Sequence, residues 1–101
     1  MYCCEGFAHR IAAAGSRGLA VLVHNESEGL SFFLQSRGVA FADQSRLRPA
    51  AGDLTINIAA DVGMLYCPWC GRRLEDLIAA SPQRFRKLAE QHDGLAAVEL
   101  P

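Results

Sequence analysis

Apolar side chains recur at three- and four-residue intervals near the start of the chain. Cys4, Phe7, Ile11 and Ala14 share one face of a helix predicted over residues 4–14, with Gly15 as its stop. The pattern then changes. GLAVLVHN (18–25) is a nearly continuous apolar run of strand length, ESEG (26–29) reads as a turn, and LSFFLQS (30–36) as the hairpin partner. GVAFA (38–42) either continues that sheet or starts another strand after a bulge at Gly38, and DQSRLRPAAGD (43–53), with Pro49 and Gly52, reads as a loop. LTINIAA (54–60) alternates most cleanly: Leu54, Ile56 and Ile58 face one way, Thr55 and Asn57 the other. DVG (61–63) is expected to turn, and MLY (64–66) to form a short strand leading into CPWCG.

Beyond Cys70 the helical period returns in Leu74, Leu77 and Ile78. Ser81 and Pro82 restart the helix, Ser81 as cap and Pro82 at the first position. Phe85, Leu88, Ala89 and His92 then share a face. Phe32 and Phe33 are strand neighbours and point to opposite sides, so one of them lies outside the main core or beneath a helix. The expected fold is α+β: an antiparallel sheet of about four or five strands, an N-terminal helix and a broken C-terminal helical pair. Residues 1–93 form a single domain and 94–101 a C-terminal tail.

Composition adds bounds rather than direction. The 101 residues are half apolar and 21% charged, the balance of an ordinary globular domain. A net charge of −1 excludes the strongly basic balance of a dedicated nucleic-acid binder. Arg72, Arg73, Arg84, Arg86 and Lys87 make the C-terminal third locally basic, but Glu75, Asp76, Glu90 and Asp93 interleave, which describes a solvated helix face. The N-terminal MYCCEGFAHR lacks the basic lead and apolar run of a secretory signal, and no apolar stretch could span a bilayer. Both point to a cytoplasmic chain with no membrane partner. There thiols stay reduced, and clustered cysteines lean toward metal or redox chemistry.

The four cysteines come as two pairs, Cys3 with Cys4 and Cys67 with Cys70. Two cysteines spaced C-x-x-C can ligate one ion while the turn between them aims backbone amides at the sulfurs. Pro68 stiffens that turn, and Gly71 accepts the positive φ that lets the chain leave it. Trp69 is expected to pack over the site.

YCPWCGRRL resembles the C-P-x-C-G-x-x-L knuckle of zinc ribbons and rubredoxin-like modules. With the early CCEGF, it also resembles small bacterial and phage proteins that combine an N-terminal cysteine doublet with a later C-P-W-C-G. The resemblance spans about a fifth of the chain. It implies Cys67 and Cys70 as metal ligands and Cys3 and Cys4 as the other half, with zinc preferred over iron. The departure is the doublet, since a ribbon has a second C-x-x-C. Adjacent residues reach one ion only from irregular backbone, which a chain terminus supplies. A variant keeps Cys4 and replaces Cys3 by His9 or His24. Closing the Cys4–Cys67 loop costs about 4 kcal/mol, while a structural zinc supplies on the order of 10–16 kcal/mol, so the metal outweighs the closure.

Two other uses of the cysteines remain open at this stage. A thiol redox protein using the Cys67–Cys70 dithiol would also place CPWC between strand and helix, although only a helical stretch follows it. A disulfide framework would need an oxidising compartment. No phosphate loop, H-E-x-x-H or G-x-S-x-G is present, and no small-molecule substrate is suggested. The sequence therefore points to a non-enzymatic module with a structural zinc and a protein or nucleic-acid partner.

Overall fold

The computed structural model describes residues 2–26, 29–47, 56–57, 59–95 and 99–100. Helix α1 (Glu5–Ala12) leads into the hairpin β1 (Gly18–Glu26) and β2 (Gly29–Arg37). A 3-10 helix (Phe41–Leu47), β3 (Ile56–Asn57) and β4 (Ala59–Met64) follow. After the second cysteine pair come α2 (Leu74–Ala80), α3 (Pro82–Gln91) and β5 (Glu99–Leu100). None of the described helices is long and apolar enough to cross a membrane.

The chain is α+β, but among the described residues its main sheet has three antiparallel strands in the order β1-β2-β4, fewer than the four or five expected. β3 and β5 form a separate two-stranded ladder, Ile56 opposite Leu100 and Asn57 opposite Glu99. The strand expected at 38–42 is absent: the chain bends after Arg37 and tightens into the 3-10 helix, with Phe41 N–H donating to the Gly15 carbonyl at 2.8 Å. The turn expected at 61–63 is instead the middle of β4. Asp61, Val62 and Gly63 pair with Gln35, Leu34 and Phe33, and Gln35 Nε2 donates to Asp61 Oδ1 at 2.9 Å. Cross-strand partners outweigh the local turn preference of Asp and Gly. Of the strand expected at 54–60, Leu54, Thr55 and Ile58 lie outside the described residues, as do Pro49 and Gly52 of the expected loop.

β1 is buried on both faces, which is why its apolar run is unbroken. Val21 and Val23 face α1 and α3, which pack on this strand; Ala20 and Leu22 are buried on the other side. The helix-side core is built on three phenylalanines from three elements. Phe32 of β2 meets Phe7 of α1 edge-on at 5.5 Å and Phe85 of α3 at 5.4 Å. All three are essentially inaccessible. Each such burial contributes about 1.5–3 kcal/mol, and edge-to-face pairs add about 0.5–1.5 kcal/mol. Leu74 and Leu77 of α2 complete the layer. Pro82 stands at the start of α3 as expected, but Ser81 makes no side-chain cap.

Phe33 lies on the opposite face, its ring 4.8 Å from that of His24. Beside them runs a polar web that sequence periodicity hid. Gln35 and Arg37 occupy alternate positions of β2, where a solvent face would be polar, yet both are buried. Arg37 Nε donates to Gln35 Oε1 at 3.2 Å, and its Nη1 donates to Gln44 Oε1 at 3.0 Å. The Leu95 carbonyl accepts from Gln35 Nε2 at 2.6 Å and Arg37 Nη2 at 3.0 Å. Burial pushes the Arg37 pKa down while Asp61 opposes that shift. Charge-assisted bonds of this kind hold the segment after α3 against the sheet.

Candidate metal centre

The N-terminal cysteines are held in place by Tyr2. Its ring packs 5.7 Å from Phe7 and 6.1 Å from Phe85, with the Arg84 guanidinium 4.9 Å over its face. Cys4 then stands at the cap position of α1 in extended conformation, φ −165° and ψ 168°, and its carbonyl accepts the first helical bond from Ala8 N–H at 3.1 Å. Its side chain makes no cap, so the sulfur is turned elsewhere. Because the helix begins only after Cys4, the doublet sits on irregular backbone, and neighbouring sulfurs can aim at one point.

The second pair sits in a closed knuckle after β4. Tyr66 and Arg73 form a single antiparallel bridge, and Leu74 N–H donates to the Leu65 carbonyl at 3.0 Å. Inside that frame Cys67 N–H donates to the Arg72 carbonyl at 2.9 Å, and Gly71 N–H to the Cys67 carbonyl at 2.8 Å. Gly71 adopts φ +82°, a conformation a side chain would strain. The expected short strand at 64–66 is reduced to the end of β4 at Met64 and this one bridge at Tyr66.

The structure brings all four sulfurs together. The Sγ atoms of Cys3, Cys4, Cys67 and Cys70 lie within 4.8 Å of one another, and all four are free thiols. Cys4 Sγ and Cys67 Sγ are 3.8 Å apart. Metal–sulfur bonds of about 2.3 Å directed to the corners of a tetrahedron give sulfur–sulfur edges of about 3.8 Å. Four soft donors at this spacing could hold one metal ion. Cys67 is buried in the core, Cys3 and Cys4 are half-buried, and Cys70 is exposed, so the group sits where the core meets solvent.

Electrostatics separates the metal-free and metal-bound cases. Burial pushes the Cys3 thiol well above its ordinary pKa, and hydrogen bonds and charge repulsion from Cys70 and Cys67 push it the same way. Without a cation Cys3 therefore stays protonated. A divalent ion reverses this and displaces the protons.

Neither histidine joins the group. His9 is exposed on the last turn of α1, and His24 lies against Phe33 on the sheet's other face. Sequence reasoning missed Gly6. A Cβ there would stand 2.9 Å from Trp69 Cγ and 3.1 Å from its Cβ. Trp69, still 40% exposed, therefore lies across the first turn of α1 rather than simply over the sulfurs. A glycine inside a short helix, against propensity, was the available signal of a close approach.

The chain matches no family model, no curated protein and no solved structure. Its function is therefore argued from the cysteine geometry.

Proposed function

We propose that the chain is a small non-enzymatic module in which Cys3, Cys4, Cys67 and Cys70 hold a structural zinc ion, and that it acts as an adaptor for a protein or nucleic-acid partner. One observation carries the reading: four sulfurs from two pairs far apart in sequence, Cys4 and Cys67 being 63 positions apart, converge within 4.8 Å, on a spacing that suits a tetrahedral ion. Zinc is preferred over iron because a closed tetrahedral thiolate site with no redox demand is its commonest structural use.

When bound, the ion would supply cross-linking rather than chemistry. Four protein ligands leave no vertex for a substrate water, which catalytic zinc requires. It would clasp the start of α1 to the knuckle. The dithiol alternative uses two sulfurs, usually with the first one accessible for attack; here the first, Cys67, is buried and the second exposed.

Native mass spectrometry with elemental analysis, on protein purified without chelator, tests the site. One zinc per chain, lost on substitution of Cys4 or Cys67, is expected; metal-free protein with a reactive low-pKa Cys67 thiol would establish the redox alternative. Titration with random duplex and single-stranded oligonucleotides at low and high salt separates the partner classes. Salt-dependent binding identifies nucleic acid, and its absence at low salt leaves a protein partner.

A further inference from the structure

The four sulfurs are not equally placed toward solvent. Cys67 is buried, Cys3 and Cys4 are half-buried, and Cys70 is exposed. Cys70 is therefore where a dissolved oxidant first meets the group. Every other sulfur of the group lies within 4.8 Å of it, so an oxidised Cys70 has partners at hand.

The knuckle turn selects which partner closes on it. Gly71 N–H donates to the Cys67 carbonyl at 2.8 Å, so residues 67–71 make a single helical turn. Such a turn sets residues i and i+3 about 5 Å apart at Cα, inside the window of about 4.4–6.8 Å that disulfides span. Cys3 and Cys4 fall short of that window, because adjacent Cα atoms are only about 3.8 Å apart. A bridge between the pairs would close a far longer loop, Cys4 and Cys67 being 63 positions apart. The Cys67–Cys70 loop costs less closure entropy, and it does not depend on α1 staying in place.

We propose that the knuckle is an oxidant-sensitive release: a hydroperoxide closes a Cys67–Cys70 disulfide, and the clasp between α1 and the knuckle opens. Release of the ion rests on the zinc reading; the disulfide assignment does not. With hydrogen peroxide, the Cys70 thiolate takes one oxygen. The S–O bond forms, the O–O bond breaks, and hydroxide leaves as water with a proton from solvent. The Cys67 thiolate then attacks the Cys70 sulfur. The S–S bond forms, the S–O bond breaks, and a second hydroxide leaves as water in the same way. Each sulfur gives up one electron, and one peroxide is reduced to two waters. Ligating sulfurs are thiolates, so the bridged pair no longer binds. Cys3 and Cys4 alone are two donors where a structural site uses four. Without ligation, α1 is held by its packing contacts only, since eight residues form no stable helix by themselves.

The full zinc-loaded chain, reduced and then given one equivalent of hydrogen peroxide, tests this. Trypsin cuts after Arg10 and after Arg72, so the two pairs fall in separate peptides. The expected result is close to one zinc released per peroxide, read with a metallochromic dye. Mass spectrometry after alkylation is expected to find a Cys67–Cys70 bridge within one peptide and alkyl labels on Cys3 and Cys4. A sulfenic-acid probe present during the reaction should mark Cys70, and dithiothreitol should restore zinc binding. In Cys70→Ser the same dose should leave Cys67 reduced. Zinc retained after excess peroxide, a bridge joining the two peptides, or oxidation of Cys67 in Cys70→Ser overturns the proposal. Zinc content before peroxide keeps the two readings apart. A chain that never holds zinc contradicts the zinc reading, and the bridge map on that metal-free chain still decides the disulfide assignment.

Discussion

Removing the metal is the perturbation whose consequences the structure specifies most fully. Cys4 and Cys67 are 63 positions apart, and holding such a loop closed costs about 4 kcal/mol. With zinc free at about 1,000 times its dissociation constant, binding stabilises the folded state by about 4 kcal/mol. That is a large share of the roughly 5–15 kcal/mol available to a domain of this size. Without the ion, α1 keeps its Phe7 and Ile11 contacts, worth about 1.5–3 kcal/mol each, but its eight residues are too few to form a helix alone. Chelation is therefore expected to lower the melting temperature by about 15–30 °C without abolishing the sheet. In hydrogen exchange, protection should be lost in α1 and in residues 65–73 while β1 and β2 remain protected. The assay is calorimetry and exchange mass spectrometry before and after a strong chelator, with metal content measured. An unchanged melting temperature after verified metal loss, or uniform loss of protection across the sheet, would refute the reasoning.

Gly6→Val forces Trp69, and the knuckle that carries it, away from α1 and is expected to weaken metal affinity about 10–100-fold by dye competition, from an overpacking cost of about 1–3 kcal/mol; unchanged affinity would show that Trp69 moves aside freely. Phe32→Ala empties the meeting point of α1, α3 and the sheet, and denaturant unfolding should show a loss of about 3–5 kcal/mol. His92 is buried and its Nδ1 accepts from Val23 N–H, which requires the neutral ring. Burial pushes its pKa down, and the charge of His24 does so further. Its contribution is thus complete above the ordinary value of 6.5 and declines as pH falls toward the lower folded-state value. The slope approaches about 1.4 kcal/mol per pH unit, and His24, Arg86, Glu90 and Asp93 line the same cleft. His92→Asn, which keeps an acceptor without a titrating ring, should flatten this part of the stability profile; an equally steep profile would reassign it.

What the sequence disclosed depended on how local each cause is. The buried run of β1, the hairpin into β2 and the restart of the helix at Ser81–Pro82 follow from side-chain period and proline geometry, and all three are present. The convergence of the cysteines was legible because they come in pairs and because the doublet sits on irregular backbone before α1. The turn assigned to Asp61–Gly63 failed because partners on β2, distant in sequence, decide that segment. The burial of Gln35 and Arg37 was not legible, because side-chain period cannot show that the Leu95 carbonyl returns to meet them. Tyr2, Gly6 and Trp69 position the sulfurs through contacts between residues far apart in sequence, Tyr2 with Phe85 and Gly6 with Trp69, which no local pattern contains.

The most direct measurement is X-ray absorption at the zinc edge of protein expressed and purified without chelator. One zinc per chain with four sulfur scatterers at about 2.3 Å, and a sulfur lost when Cys4 is replaced by Ser, is the predicted result. A first shell containing nitrogen or only two sulfurs, or a fully folded protein that holds no metal when zinc is supplied, would contradict it.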